Sequence, residues 1–248
     1  MKGLVLCTAA VVFLILSAGA ARSIDGDGKI VVYGEYPAVE ELAADAFFDR
    51  EPPRTAPLID YSLGETVQER ALTEALHFLN ANVYGYTFEY RPGSALLETE
   101  ETFELELKGT LQSRWVDPVA EGVQGTVYRV KIELPLTPSM ERWTSAFTSK
   151  RLRLQVSEGT SDFYRGWEGR SDAYYEALRN LVLASARKQL SSRPLLLRGD
   201  ILLQGNPTFS VGAGRHYCKL EGYVNIVEAV RRASSEMAAG SATTGGQR

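Results

Sequence analysis

Two histidines and two cysteines are all that this 248-residue chain offers of the side chains that most often bind metals or act near neutral pH. His216 and Cys218 stand two apart, so on a strand they share a face and could begin a zinc site or a Cys-His nucleophile pair. Zinc needs further ligands, the nucleophile needs a third, orienting group, and His77 lies in a helical stretch far away in sequence. The pair therefore reads as a buried thiol beside a hydrogen-bonded imidazole. Glu98, Glu100, Glu101, Glu104 and Glu106 form the densest acid run, and paired carboxylates can hydrolyse glycosides. Here they alternate into a strand with an apolar opposite face, the pattern of a solvated surface. Asp25-Gly26-Asp27-Gly28 opens like a calcium loop, but the closing glutamate would fall near Tyr36, with Glu35 one residue short, so it reads as a linker. Gly212-Ala213-Gly214 lacks the third glycine of a dinucleotide fingerprint and opens no helix, and no nucleophile elbow or Walker motif occurs. The sequence thus assigns no catalytic residue, no metal ligand and no cofactor.

Binding candidates are aromatic and basic. Tyr84, Tyr86 and Tyr90, with Phe88 among them, set three hydroxyls on one strand face, which is costly to bury unless each finds a partner. They read as core beneath a helix with hydroxyls reaching the rim, or as a partner or carbohydrate surface. Trp115, Trp143 and Trp167 fall in or beside less regular segments, where exposed aromatics mark binding. Arg151 and Arg153, beside Lys150, suit either an anionic polymer or lipid headgroup or a plain solvated strand. Tyr84, Tyr86, Tyr90, Trp115, Arg151 and Arg153 are the candidate binding residues.

The elements that would position these groups follow from periodicity. Ile30 to Tyr33 is β-branched and reads as a strand, residues 39 to 49 as a short helix, and Pro52, Pro53 and Pro57 as a stiff connector. Ser62 and Glu65 suggest a capping box, and Val67, Ala71, Leu72, Ala75, Leu76 and Leu79 repeat at helical spacing, predicting a helix over 64–81. The period then falls to two through 83–90, again at Phe103, Leu105 and Leu107, and again at Tyr128, Val130, Ile132 and Leu134. Residues 112–126, with Asp117-Pro118, Gly122 and Gly125, read as a loop. Beyond 139 the pattern gives a strand at 151–156, a helix over 172–190 capped by Ser171, and strands at 195–203 and 214–227.

One-sided strands imply an antiparallel sheet whose dry face is covered by helices, an α+β fold. Glu74-Ala75-Leu76 with Leu79 echoes Glu176-Ala177-Leu178 with Leu181, suggesting two related helix-plus-sheet units. The expected organisation is 1–20 signal peptide, 21–57 strand, helix and connector, 58–138 first unit, 139–233 second unit, and 234–248 a disordered tail.

Lys2, the apolar run Leu4–Leu16 and the small residues Ser17 to Ala20 predict a secretory signal cleaved near Ala20. The run is short for a membrane span, and no other stretch is apolar enough to cross. Cleavage would leave Cys218 alone, so folding would rest on burial without disulfides, as suits a periplasmic protein. The formal charge of −4 provides no basic excess for nucleic acid.

Ala71 to Leu76, the strand onset at Val83 and Gly125 to Ile132, in the order helix, strand, strand, Trp-Val, loop, strand, resemble the N-terminal module of envelope-side flagellar assembly proteins of the FlgT and FlgP type. That resemblance implies small α+β domains, no catalytic residues and envelope or flagellar protein partners. The expected function is contact within the bacterial envelope; the competing expectations are a hydrolase using acidic residues and a small-ligand carrier.

Overall fold

The computed structural model describes residues 28–38, 57–93, 99–111, 116–149, 152–192 and 194–231. The expected signal segment, the expected turn at Asp25-Gly26-Asp27, the expected helix at 39–49, Trp115, Arg151 and the expected tail lie outside the described residues. The fold is α+β, as expected, and every strand pairing is antiparallel.

Strand β1 (Lys29–Pro37) joins β5 (Val127–Pro135) and β4 (Pro118–Gln124) in a three-stranded sheet of order β1-β5-β4. A second sheet has the order β3-β2-β7-β9-β6, with β8 on β9. Its strands are β2 (Tyr86–Arg91), β3 (Thr102–Leu107), β6 (Gln155–Asp162), β7 (Pro194–Leu203), β8 (Thr208–Gly212) and β9 (Arg215–Arg231). The helices are α1 (Val67–Val83), α2 (Pro138–Thr148) and α3 (Gly166–Gln189). Helix α1 packs chiefly on β1 and β5, and α3 on β6 and β9.

Helix α1 is as periodic as expected, but its cap stands four residues later. Thr66, not Ser62, accepts from the Glu69 amide, while the Glu69 carboxylate accepts from the Thr66 amide at 3.0 Å. Ser62 lies in a 3₁₀ turn capped by Asp60. Helix α3 starts at Gly166, ahead of the expected 172, because Ser171 is not a cap at all: it is buried and its hydroxyl accepts from the Ile59 amide. Two strands and a helix went unread. Segment 118–124 was expected to be loop and is strand β4; its turn to β5 is two residues long with Gly125 at φ 65°, which suits a type II′ hairpin. β8 lacks a clear period, whereas α2 does carry helix signals, with Thr137 as its cap, Pro138 in its first turn and Met140, Thr144 and Phe147 at helical spacing; Ala213-Gly214 forms the β8–β9 turn.

The expected pairing of helix-plus-sheet units has a packing counterpart. Gly34 on β1 lies so close to α1 that an added Cβ would stand 2.1 Å from the Ala71 carbonyl and 2.4 Å from the Ala75 nitrogen. Gly159 on β6 meets α3 the same way, 2.3 Å from the Ala173 carbonyl and 2.2 Å from the Ala177 nitrogen. Ala71 and Ala75 correspond to Ala173 and Ala177 at the same offset as the Glu-Ala-Leu echo. Each helix therefore seats on its strand through alanines over glycine, the closest approach two backbones can make. The units are not separable at 138/139, because β2 pairs with β7 across that line.

Candidate functional site

The densest polar chemistry is buried where α1, α3 and β1 meet. Glu74 has no exposed surface, although it sits three residues after Ala71 on the apolar stripe of α1. Its carboxylate accepts from the Tyr61 hydroxyl at 2.8 Å, the Glu35 amide at 2.6 Å and Arg170 Nε at 2.8 Å. Arg170, likewise on the buried stripe of α3 ahead of Ala173, Tyr174 and Ala177, also donates to Glu35 Oε2 at 3.0 Å. Glu35 is held from the rim by Arg129. Phe209 of β8 lies under the Arg170 guanidinium, 3.6 Å to its centroid, and Trp167 flanks it at 4.9 Å.

Burial, then the Glu74 carboxylate, push the Tyr61 hydroxyl well above the ordinary phenol range, so it stays a donor. Burial opposes the Arg170 charge, but the Glu74 carboxylate, with Glu35 beside it, outweighs it and its pKa rises. Two carboxylates converge here, yet they share one guanidinium instead of flanking a space for substrate, and Glu74 is sealed from solvent. Glycoside chemistry needs carboxyl groups on either side of an accessible bond. This cluster is a strut between the two units.

A second buried chain runs from α3 to α1. The Tyr174 and Tyr86 hydroxyls lie 2.8 Å apart, and Tyr86 lies 2.7 Å from His77 Nε2. Burial lowers His77 to about 4, so the ring is neutral and its tautomer sets which way the hydrogen bonds of the His77–Tyr86–Tyr174 chain run. His216 and Cys218 are both buried and face the same side, as expected; burial lowers the imidazole, which stays neutral, and raises the thiol, which keeps it out of the nucleophilic thiolate form. Among the described residues no group of three or more His, Cys, Asp or Glu could hold a metal ion.

The tyrosine stripe divides. Tyr86 and Tyr90 are buried in the core, and Tyr86 satisfies its hydroxyl internally, so neither offers a surface; Tyr84 is the C-cap of α1, half-buried. Arg153 is exposed just before β6. Of the acid run, Glu104 and Glu106 are exposed on edge strand β3 and Glu101 pairs with Arg179 at 2.6 Å. Glu98 lies outside the described residues. The wet face of the larger sheet is laced by Glu89 with Arg91 and Arg198, and by Lys108 with Asp200.

The surface that stands open is β4. All but one of its residues are exposed, Val119 to 57% and Val123 to 63%, and among the described residues it pairs only with β5. A second apolar corner is formed by Phe163 and Tyr164 before α3, with Val211 of β8. Sequence reasoning missed the buried cluster and β4 alike. The signal for the first was a charge on each helix's apolar stripe; for the second it was Gly125 at hairpin spacing between Val123 and Tyr128.

The chain belongs to a protein family of unknown function whose model matches residues 32–231, nearly the whole span from β1 to β9. No curated protein and no solved structure matches it.

Proposed function

We propose that this is a secreted, non-enzymatic protein of the bacterial envelope that works by contact with other proteins. The signal-like N-terminus supports the location. The observation that carries the contact reading is β4: an apolar strand open along one edge and on both faces, in a molecule whose densest polar cluster is locked inside. Natural sheets blunt exposed edges with charge or cover them, and an edge left apolar is a place for another chain. Among the described residues no helix is long and apolar enough to cross a membrane. The narrower form of the proposal, an accessory role in flagellar or outer-membrane assembly, rests on the sequence resemblance alone.

The test is photocrosslinking in living cells from a benzophenone side chain at Val123, with Val227, equally exposed on β9, as the control position. A discrete adduct from position 123 and none from 227 is expected. No adduct from 123, or the same smear from both, contradicts the proposal. An adduct with a flagellar or outer-membrane assembly protein supports the narrower form, and any other identity removes it.

A further inference from the structure

Resting on that contact reading, we infer what β4 accepts: an extended segment of a partner protein, added antiparallel to its free edge, with a basic residue opposite Glu121 and an apolar one opposite Val123. The backbone sets the first half of this. Gln124 and Val127 flank the two-residue turn, so they form a hydrogen-bonded pair, and alternation assigns Gly122 and Ala120 to β5 as well. Glu121 and Val123 therefore turn their N–H and C=O groups outward. Near Pro118 the register shifts by one residue, which ends the usable ladder there. No atom stands within 4 Å of where a Cβ on Gly122 would be, so that face of the strand is clear, and among the described residues no strand pairs with the outer edge of β4.

Side chains set the second half. Across the sheet, Tyr36 faces Tyr128 and Tyr128 faces Val123, an apolar row that an added strand would extend with an apolar residue. The next row runs Gly34, Val130, Glu121. Glu121 is the one charge in β4, so the position opposite it calls for lysine or arginine. A second copy of this chain fits less well. Two-fold pairing centred on Glu121 sets carboxylate against carboxylate, and pairing centred on Gly122 sets each Glu121 against Val123 of the other copy. A foreign strand with an apolar-basic alternation meets neither conflict, and adding a strand to a sheet edge is a general mode of peptide recognition.

The probe is a capped heptapeptide, TVTKTVT, titrated into the full chain lacking only the signal segment, with amide NMR shifts and exchange at Glu121 and Val123 as readout. Expected is saturable protection of those two amides, weakened at least tenfold when the central lysine is replaced by glutamate. The preference should invert in the Glu121→Lys variant, an exposed change that leaves the core untouched. Equal binding of the two peptides overturns the charge assignment. Edge amides that exchange freely but never become protected by either peptide overturn strand addition, while an adduct from position 123 in cells would still stand for the broader contact reading. Edge amides already protected in a monomer mean that this chain covers its own edge. Protection that vanishes on dilution means that a second copy covers it. Either result overturns the proposal.

Discussion

The α1–α3 seam and the β4 edge treat polar groups in opposite ways. At the seam, Glu74, Arg170, Glu35 and Tyr61 are withdrawn from water and every charge is answered by a donor or acceptor at hydrogen-bond distance. At β4 the side chains are mostly apolar yet exposed, and among the described residues no strand pairs with the backbone of its outer edge. Buried charges resist change because removing one strands the others, whereas an open strand edge can take a partner without disturbing the core. Chemically rich residues thus serve the fold, and the proposed contact falls to a chemically plain strand.

The largest effect is expected from breaking the seam. Arg170→Met leaves Glu74 without its cation and should cost about 3–5 kcal/mol in denaturant unfolding. Combining it with Glu74→Leu should recover part of that loss, because the double variant buries no unpaired charge; a double variant no more stable than the sum of the singles contradicts the strut reading. Gly34→Ala tests the strand-on-helix seat. Its Cβ would strike the Ala71 carbonyl, and a cost of about 2–4 kcal/mol is expected, with Gly159→Ala behaving alike if the two units are built alike.

Next comes the His77 chain. Its folded pKa is near 4 and its unfolded value near 6.5, so between these the unfolded chain binds more protons. The contribution is complete above about pH 6.5 and is lost as pH falls toward 4, at most about 3 kcal/mol for this half-buried ring. His77→Gln should flatten that stretch of the stability-pH curve. The smallest effect is expected at β4: Val123→Thr should change stability by less than about 0.5–1 kcal/mol while weakening strand addition.

How far the sequence foretold this depends on period. Helix α1 and strands β3 and β5 were legible because apolar residues recur on one face for a full element. β4 was not, since a strand exposed on both faces has no alternation to show, and Pro118, Gly122 and Gly125 mimic a loop. The Arg170–Glu74 pair was hidden for a different reason: its members are far apart in sequence, and a single charge on an apolar stripe does not reveal its partner. In the Tyr84–Tyr90 stripe the core reading holds for Tyr86 and Tyr90, and for Tyr86 the hydroxyl finds its partners inside, in Tyr174 and His77.

Hydrogen exchange of the isolated chain tests the contrast most directly. The account predicts that the Glu121 and Val123 amides exchange at nearly the rate of an unstructured peptide while Ile132 on β5 and Ile201 on β7 exchange only with global unfolding. Slow exchange at Glu121 and Val123 in the monomer, matching that of Ile132, would contradict it, because the edge would then be closed and the contact surface would have to lie elsewhere.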